Sequence, residues 1–135
     1  MKNKFSARKT ACCQGHTHDS KAEAERCDIL HIMQKHGMIS ELRIQAKYEL
    51  IPAMKYENMP NERGMTYIAD FVYIENGVTV IEDVKSEETR RNPDYIIKRK
   101  LTKLKYCTDG KTVFREYIQI KSRKAGRNNE NSKKS

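Results

Sequence analysis

The chain has 135 residues, 37% hydrophobic and 33% charged, with seven Tyr, three Phe and no Trp, which suits one domain with one modest core. A formal net charge of +9 favours a polyanionic partner, nucleic acid first, over a generic basic surface with no specific partner. No apolar run is long enough to span a bilayer. The basic start (Lys2, Lys4, Arg8, Lys9) is not followed by the apolar segment of a secretory signal, so the four cysteines are expected to be reduced, in a cytoplasm.

Residues 1–18 show no periodicity but crowd Cys12, Cys13, His16 and His18. Ser20 opens a helix, and Glu23 stands three residues on, the spacing of a capping box. Ala24, Cys27, Leu30 and Met33 form its apolar stripe, and Gly37 ends it. Residues 41–51 alternate, with Leu42, Ile44, Ala46, Tyr48 and Leu50 expected on one face of a half-buried strand. Residues 52–64, with two Pro, two Asn and a Gly, read as a loop. Residues 66–75 and 78–85 are rich in strand formers, and Asn76-Gly77 between them signals a type I′ hairpin.

Residues 86–92 form a polar connection. Asn92 then caps a helix that begins with Pro93 and runs to about Tyr106. Ile97, Leu101 and Leu104 are expected to face the core, and Lys98, Arg99, Lys100, Lys103 and Lys105 to face outward. Asp109-Gly110 turns the chain into a last strand over residues 112–121. Residues 122–135 read as a basic disordered tail. There is no internal repeat. Helix, three strands, helix and strand predict an α/β fold, a short antiparallel sheet flanked by helices.

The hairpin carries the chemistry. In a two-residue turn Glu75 pairs with Val78. Counting back puts Asp70 opposite Asp83 in a non-hydrogen-bonded pair, with Cα atoms about 4.5 Å apart. Lys85 shares the face of Asp83, and Glu82 points the other way. Facing carboxylates repel, and folding alone gives no reason to choose them. A divalent cation such as Mg²⁺ removes the penalty, and a lysine beside the pair can hold a phosphate or a water. These are the parts of metal-assisted phosphodiester hydrolysis. A plainer reading stays open at this point, in which Lys85 only salt-bridges one aspartate on a solvated sheet face.

Asp70, twelve intervening residues, then Asp83-Val84-Lys85 resembles the signature of the PD-(D/E)XK nuclease superfamily. The wider pattern over residues 18–26, 39–45, 67–71, 82–85 and 95–100 resembles a phage-associated family catalogued as domain of unknown function 1064, across residues 15–120. That family is regarded as a branch of the nuclease superfamily, with some members described as Holliday-junction resolvase-like. The resemblance implies a restriction-endonuclease-like αβββαβ core, a mixed sheet flanked by helices. It implies an endonuclease dependent on Mg²⁺ or Mn²⁺ that hydrolyses DNA phosphodiesters in a phage-infected or prophage-carrying bacterial cytoplasm, its substrate branched or duplex DNA.

The same resemblance gives the residues roles. Asp70, Asp83 and the Val84 carbonyl would bind the metal, Lys85 would activate water and steady the phosphate, and Glu23 would complete the metal site. Glu25 and Glu41 are rivals for Glu23, whose other role is the capping box. Ala69 stands where the superfamily signature has Pro, and Ser86 where the family usually has Gly. A homodimer would suit a junction substrate. The competing function is a non-catalytic nucleic-acid-binding protein that retains the nuclease fold; a zinc-stabilised adaptor is a third.

Cys12, Cys13, His16, His18, Cys27 and His31 fall within twenty residues. Four of them could hold a structural zinc, and Cys13, His16, His18 and Cys27 are the first choice. Alternatively, Cys27 is a core residue and the histidines are solvated. Residues 1–19 thus form an N-terminal segment with candidate zinc ligands, residues 20–121 the nuclease-like domain and residues 122–135 the tail. Lys98, Arg99, Lys100, Lys103 and Lys105 are the expected phosphate contacts, or else an ordinary solvated face.

Overall fold

The computed structural model describes residues 9–12 and 15–118. Cys13, the expected tail over residues 122–135 and the end of the last expected strand, residues 119–121, lie outside them. In chain order the elements are β1 Thr10–Ala11, β2 Thr17–His18, α1 Lys21–Lys35, β3 Ser40–Ile51, β4 Met65–Glu75, β5 Val78–Lys85, a 3₁₀ turn Thr89–Arg91, α2 Pro93–Tyr106 and β6 Thr112–Ile118. The β1–β2 ribbon lies in a segment whose sequence shows no periodicity; two-residue strands are too short to carry any.

Local chemistry accounts for the element ends. Ser20 Oγ accepts the Glu23 N–H at 3.1 Å and starts α1. Gly37, at φ 78°, follows its last turn. The Asn92 side chain accepts the Asp94 N–H at 2.8 Å, and Pro93 takes the first position of α2, where its missing N–H costs nothing. Asn76 and Gly77 have φ values of 53° and 77°, as a type I′ turn requires.

The main sheet has the order β3-β4-β5-β6. Its first three strands are antiparallel, but β6 joins β5 in parallel, so the sheet is mixed rather than wholly antiparallel. A parallel neighbour needs a crossover connection, and α2 provides it. Helix α1 packs through Ala24, Cys27 and Leu30 on Phe71, Tyr73 and Val80. Helix α2 packs through Leu101 and Tyr106 on the other face, among Tyr67, Val72, Ile81 and Phe114. Among the described residues no helix is long and apolar enough to cross a membrane.

Two expected faces are corrected. On α2, Ile97 is 51% and Leu104 69% exposed, whereas Tyr95 and Thr102 are buried. The helix is rotated toward its aromatic residues, and burial of Thr102 is tolerable because its hydroxyl donates to the Lys98 carbonyl at 2.7 Å. On β3, Leu42 and Ile44 pack with the α1 cluster but Ala46, Tyr48 and Leu50 with the α2 cluster. The change of side falls at Gln45, whose φ is 55°.

Gly77 has open space where a Cβ would point, so its substitution probes backbone conformation alone. Gly77→Ala should lower stability by about 1–2 kcal/mol, the cost of a left-handed L-residue, read as a shift in the urea midpoint. An unchanged midpoint would contradict the type I′ assignment.

Candidate metal-dependent active site

The β4–β5 ladder runs from Glu75–Val78 to Phe71–Glu82 in the register that the turn predicts. It stops one step short of the expected Asp70–Asp83 pair, so these residues are not ladder partners. On the other side of β4, Ile44 pairs with Phe71 and Ala46 with Ala69, leaving Gln45 and Asp70 unpaired between them. Side chains change faces here in both strands: Ala69 belongs to the α2 cluster and Phe71 to the α1 cluster. Asp70 therefore stands where the faces change, just beyond the last β4–β5 ladder pair.

The two acids still come to one place. Asp70 Oδ2 accepts the Val84 N–H at 2.8 Å across the opened ladder. The Asp83 carboxyl stands near enough to bear on the protonation of Asp70. Burial, then contact with Asp83, then the more remote charge of Glu23 push the Asp70 carboxyl up to about 9, while the Val84 N–H pulls the other way. What Val84 contributes to the described geometry is this N–H.

Lys85 Nζ is 3.1 Å from Asp83 Oδ2 and 4.4 Å from the centre of the Tyr95 ring. Its approach is an ion pair without hydrogen-bond geometry, and Asp83 Oδ2 is buried with no hydrogen bond. The Tyr67 hydroxyl is also buried without one. Burial first, then the Asp83 charge, raise the Tyr67 hydroxyl far above its ordinary range. A buried carboxylate oxygen held by the Lys85 ammonium, in a group of hard oxygen donors, fits a Mg²⁺ or Mn²⁺ site. Neither Tyr67 nor Tyr95 was a candidate site residue from the sequence. Both stand in the family-like pattern, but β-strand and helix periodicity mark them only as core.

Glu23, in the first turn of α1, lies near enough to Asp70 for its charge to bear on that carboxyl. It is 5% exposed, whereas its rivals Glu25 and Glu41 are exposed. The reciprocal half of the capping box is not made: the Glu23 carboxylate turns to His18 Nδ1 at 3.2 Å. Behind it, Cys12, His16, His18 and Cys27 each offer a donor atom within 4.8 Å of the others, a cluster compatible with a metal ion. The cluster includes Cys12, and Cys13, the expected ligand, lies outside the described residues. His31 lies beside the cluster, its Nδ1 donating to the Cys27 carbonyl at 2.9 Å.

Glu82 points to the α1 face and is fully buried, held by Arg26 at 2.7 and 3.0 Å and by the Tyr73 hydroxyl at 2.5 Å. It is a structural anchor for α1, satisfied on every side, and leaves Asp83 as the acid of that pair that faces the site. Of the expected phosphate contacts, Arg99 pairs with Glu116 at 3.1 Å and Lys105 donates to the Glu49 carbonyl at 2.9 Å. Lys100 and Lys103 are exposed and Lys98 half-buried.

A model of the family described as "protein of unknown function (DUF1064)" matches residues 2–130. No curated protein and no solved structure matches the chain.

Without a cation, the raised Asp70 carboxyl makes the folded chain hold a proton that the unfolded chain releases. Its contribution to stability is complete below the ordinary Asp range and is lost as pH rises toward about 9. In metal-free protein the Asp70→Asn variant should therefore lose less Tm than the parent between about pH 5 and about pH 9. Parallel Tm profiles of the two proteins would contradict this.

Proposed function

The chain belongs to the DUF1064 family, and from the acid pair buried at its hairpin we propose that it is a metal-dependent endonuclease that hydrolyses DNA phosphodiester bonds. The observation that carries this reading is the burial of Asp70 and Asp83 in one corner, where Asp83 raises the Asp70 carboxyl and one Asp83 oxygen has the Lys85 ammonium beside it but no hydrogen bond among the described residues. Two buried carboxyls in contact cannot both ionise without a compensating cation. The order helix, three strands, helix, strand from α1 to β6 supports a restriction-endonuclease-like core, and Asp83-Val84-Lys85 supports placement in the PD-(D/E)XK superfamily.

Asp70, Asp83 and Glu23 would hold Mg²⁺ or Mn²⁺, with the Val84 carbonyl as a further ligand. The bound ion supplies Lewis-acid polarisation of the phosphate and a more acidic water. Lys85 orients the attacking water and steadies charge on the phosphoryl oxygens. The Tyr95 ring beneath its ammonium limits how far that group swings from Asp83. Exposed Lys100 and Lys103, with Lys98, give α2 a face for sequence-independent phosphate contact. The soft donor set of the Cys/His cluster suits zinc rather than magnesium.

A junction or other branched DNA is the substrate that suits a resolvase-like member. A homodimer would then cut two strands in symmetry. Phage or prophage origin, in a bacterial cytoplasm, goes with the same reading. One observation favours the second reading, a non-catalytic nucleic-acid-binding protein on the same fold: Lys85 already neutralises Asp83 at 3.1 Å.

A panel of linear duplex, flap, fork and four-way-junction DNA with Mg²⁺ or Mn²⁺ separates the two. Cleavage should require the metal, vanish in Asp83→Ala and fall about 10²–10³-fold in Lys85→Ala. Binding without cleavage of any of the four by the native protein would leave the second reading.

A further inference from the structure

We propose that Cys12, His16, His18 and Cys27 bind one zinc ion, and that His18 carries the effect of that ion to the acid pair by holding Glu23 in place. The second half rests on the reading of Asp70 and Asp83 as a Mg²⁺ or Mn²⁺ site; the first half does not.

The distances fit the metal. In a tetrahedral zinc site, sulfur and nitrogen ligands stand about 3.6 Å apart, given ordinary zinc–sulfur and zinc–nitrogen lengths. His16 Nδ1 is 3.5 Å from Cys12 Sγ and 3.7 Å from Cys27 Sγ. Those separations match two edges of such a tetrahedron.

His18 supplies the independent observation. It is fully buried, and its Nε2 has no hydrogen-bond partner among the described residues. In the neutral tautomer that donates Nδ1–H to Glu23, Nε2 carries a bare lone pair. A buried acceptor of this kind is costly unless something fills it. The carboxylate–histidine arrangement is the one in which a ligating imidazole is held in a single tautomer and orientation.

The scaffold needs such a link. Strands β1 and β2 have two residues each and are closed by Cys12 N–H to the His16 carbonyl at 2.9 Å. A ribbon so short is not stable alone. Zinc would tie three of its residues to Cys27 on α1. His31, stacked on His16 at 5.4 Å and 3.5 Å from Cys27 Sγ, sits as an outer partner rather than a ligand.

One oxygen of Glu23 is thereby committed to His18, whose ring packs on that of Phe71 at 5.9 Å, one residue along β4 from Asp70. Loss of zinc frees the ribbon and His18, and Glu23 loses its anchor. Zinc occupancy then sets how well the acid site binds its own cation.

The test uses the full chain. Metal analysis should give one zinc per chain. Replacement by Co²⁺ should give thiolate-to-cobalt charge transfer and the intense visible bands of a tetrahedral site. Cys27→Ser and His16→Gln should lose that spectrum, and His31→Gln should keep it. An octahedral Co²⁺ spectrum, or zinc retained in both ligand variants, overturns the site.

Mn²⁺ binding, followed by electron paramagnetic resonance, should weaken about 10–100-fold when zinc is removed, the usual cost of losing an outer positioning partner. If zinc removal unfolds the chain by circular dichroism, Glu23→Gln takes over: it should keep the cobalt spectrum and weaken Mn²⁺ binding to a similar extent. Unchanged Mn²⁺ affinity in the variant or the folded zinc-free protein overturns the coupling. Absence of Mn²⁺ binding in the zinc-loaded native protein overturns the acid-site reading and the coupling together, while the cobalt spectrum still decides the zinc site.

Discussion

Two carboxylic acids held in contact out of water have only a few ways to coexist: one keeps its proton, or a cation comes between them. Asp70 and Asp83 are placed in that position by the backbone. They sit at the far end of a hairpin whose turn and register are rigidly specified, at the point where the β4–β5 ladder gives out. Opening of the ladder frees the Val84 N–H to bind Asp70. A regular pair at this position would have spent that N–H on the neighbouring strand and set the two side chains side by side on a flat face.

The rest of the fold serves this corner. Helix α1 is clamped to the sheet by the Arg26–Glu82 ion pair and by Cys27 and Leu30 in the core. That clamp fixes the helix whose first turn carries Glu23. On the other face α2 brings Tyr95 under Lys85, while Glu116 on β6 ties Tyr95 and Arg99 together at 2.6 and 3.1 Å. Arg90 adds a third contact to the same acid at 3.2 Å. These pairs hold the ammonium near Asp83 without giving its buried oxygen the hydrogen bond it lacks.

Much of this was legible in the sequence, and the gaps have physical reasons. Asn76-Gly77 set the turn and the register as far as Phe71–Glu82, and Asn92-Pro93 marked the start of α2, because both are local backbone preferences. Strict alternation failed at Gln45 and Asp70, since a left-handed residue in one strand and a change of faces in the next are collective features that no single residue type announces. The apolar stripe on α2 misled because Tyr95 and Tyr106, not Ile97 and Leu104, fill the core. Glu23 was found through its spacing to Ser20, yet its carboxylate serves His18, a partner that only the fold brings near.

The most direct measurement of the central claim is anomalous diffraction at the manganese edge from crystals grown with Mn²⁺. The account predicts a peak within about 2.4 Å of oxygens from both Asp70 and Asp83, with Lys85 turned off Asp83. A peak only on exposed acids such as Glu87, with Asp70 and Asp83 still in contact and metal-free, would contradict it.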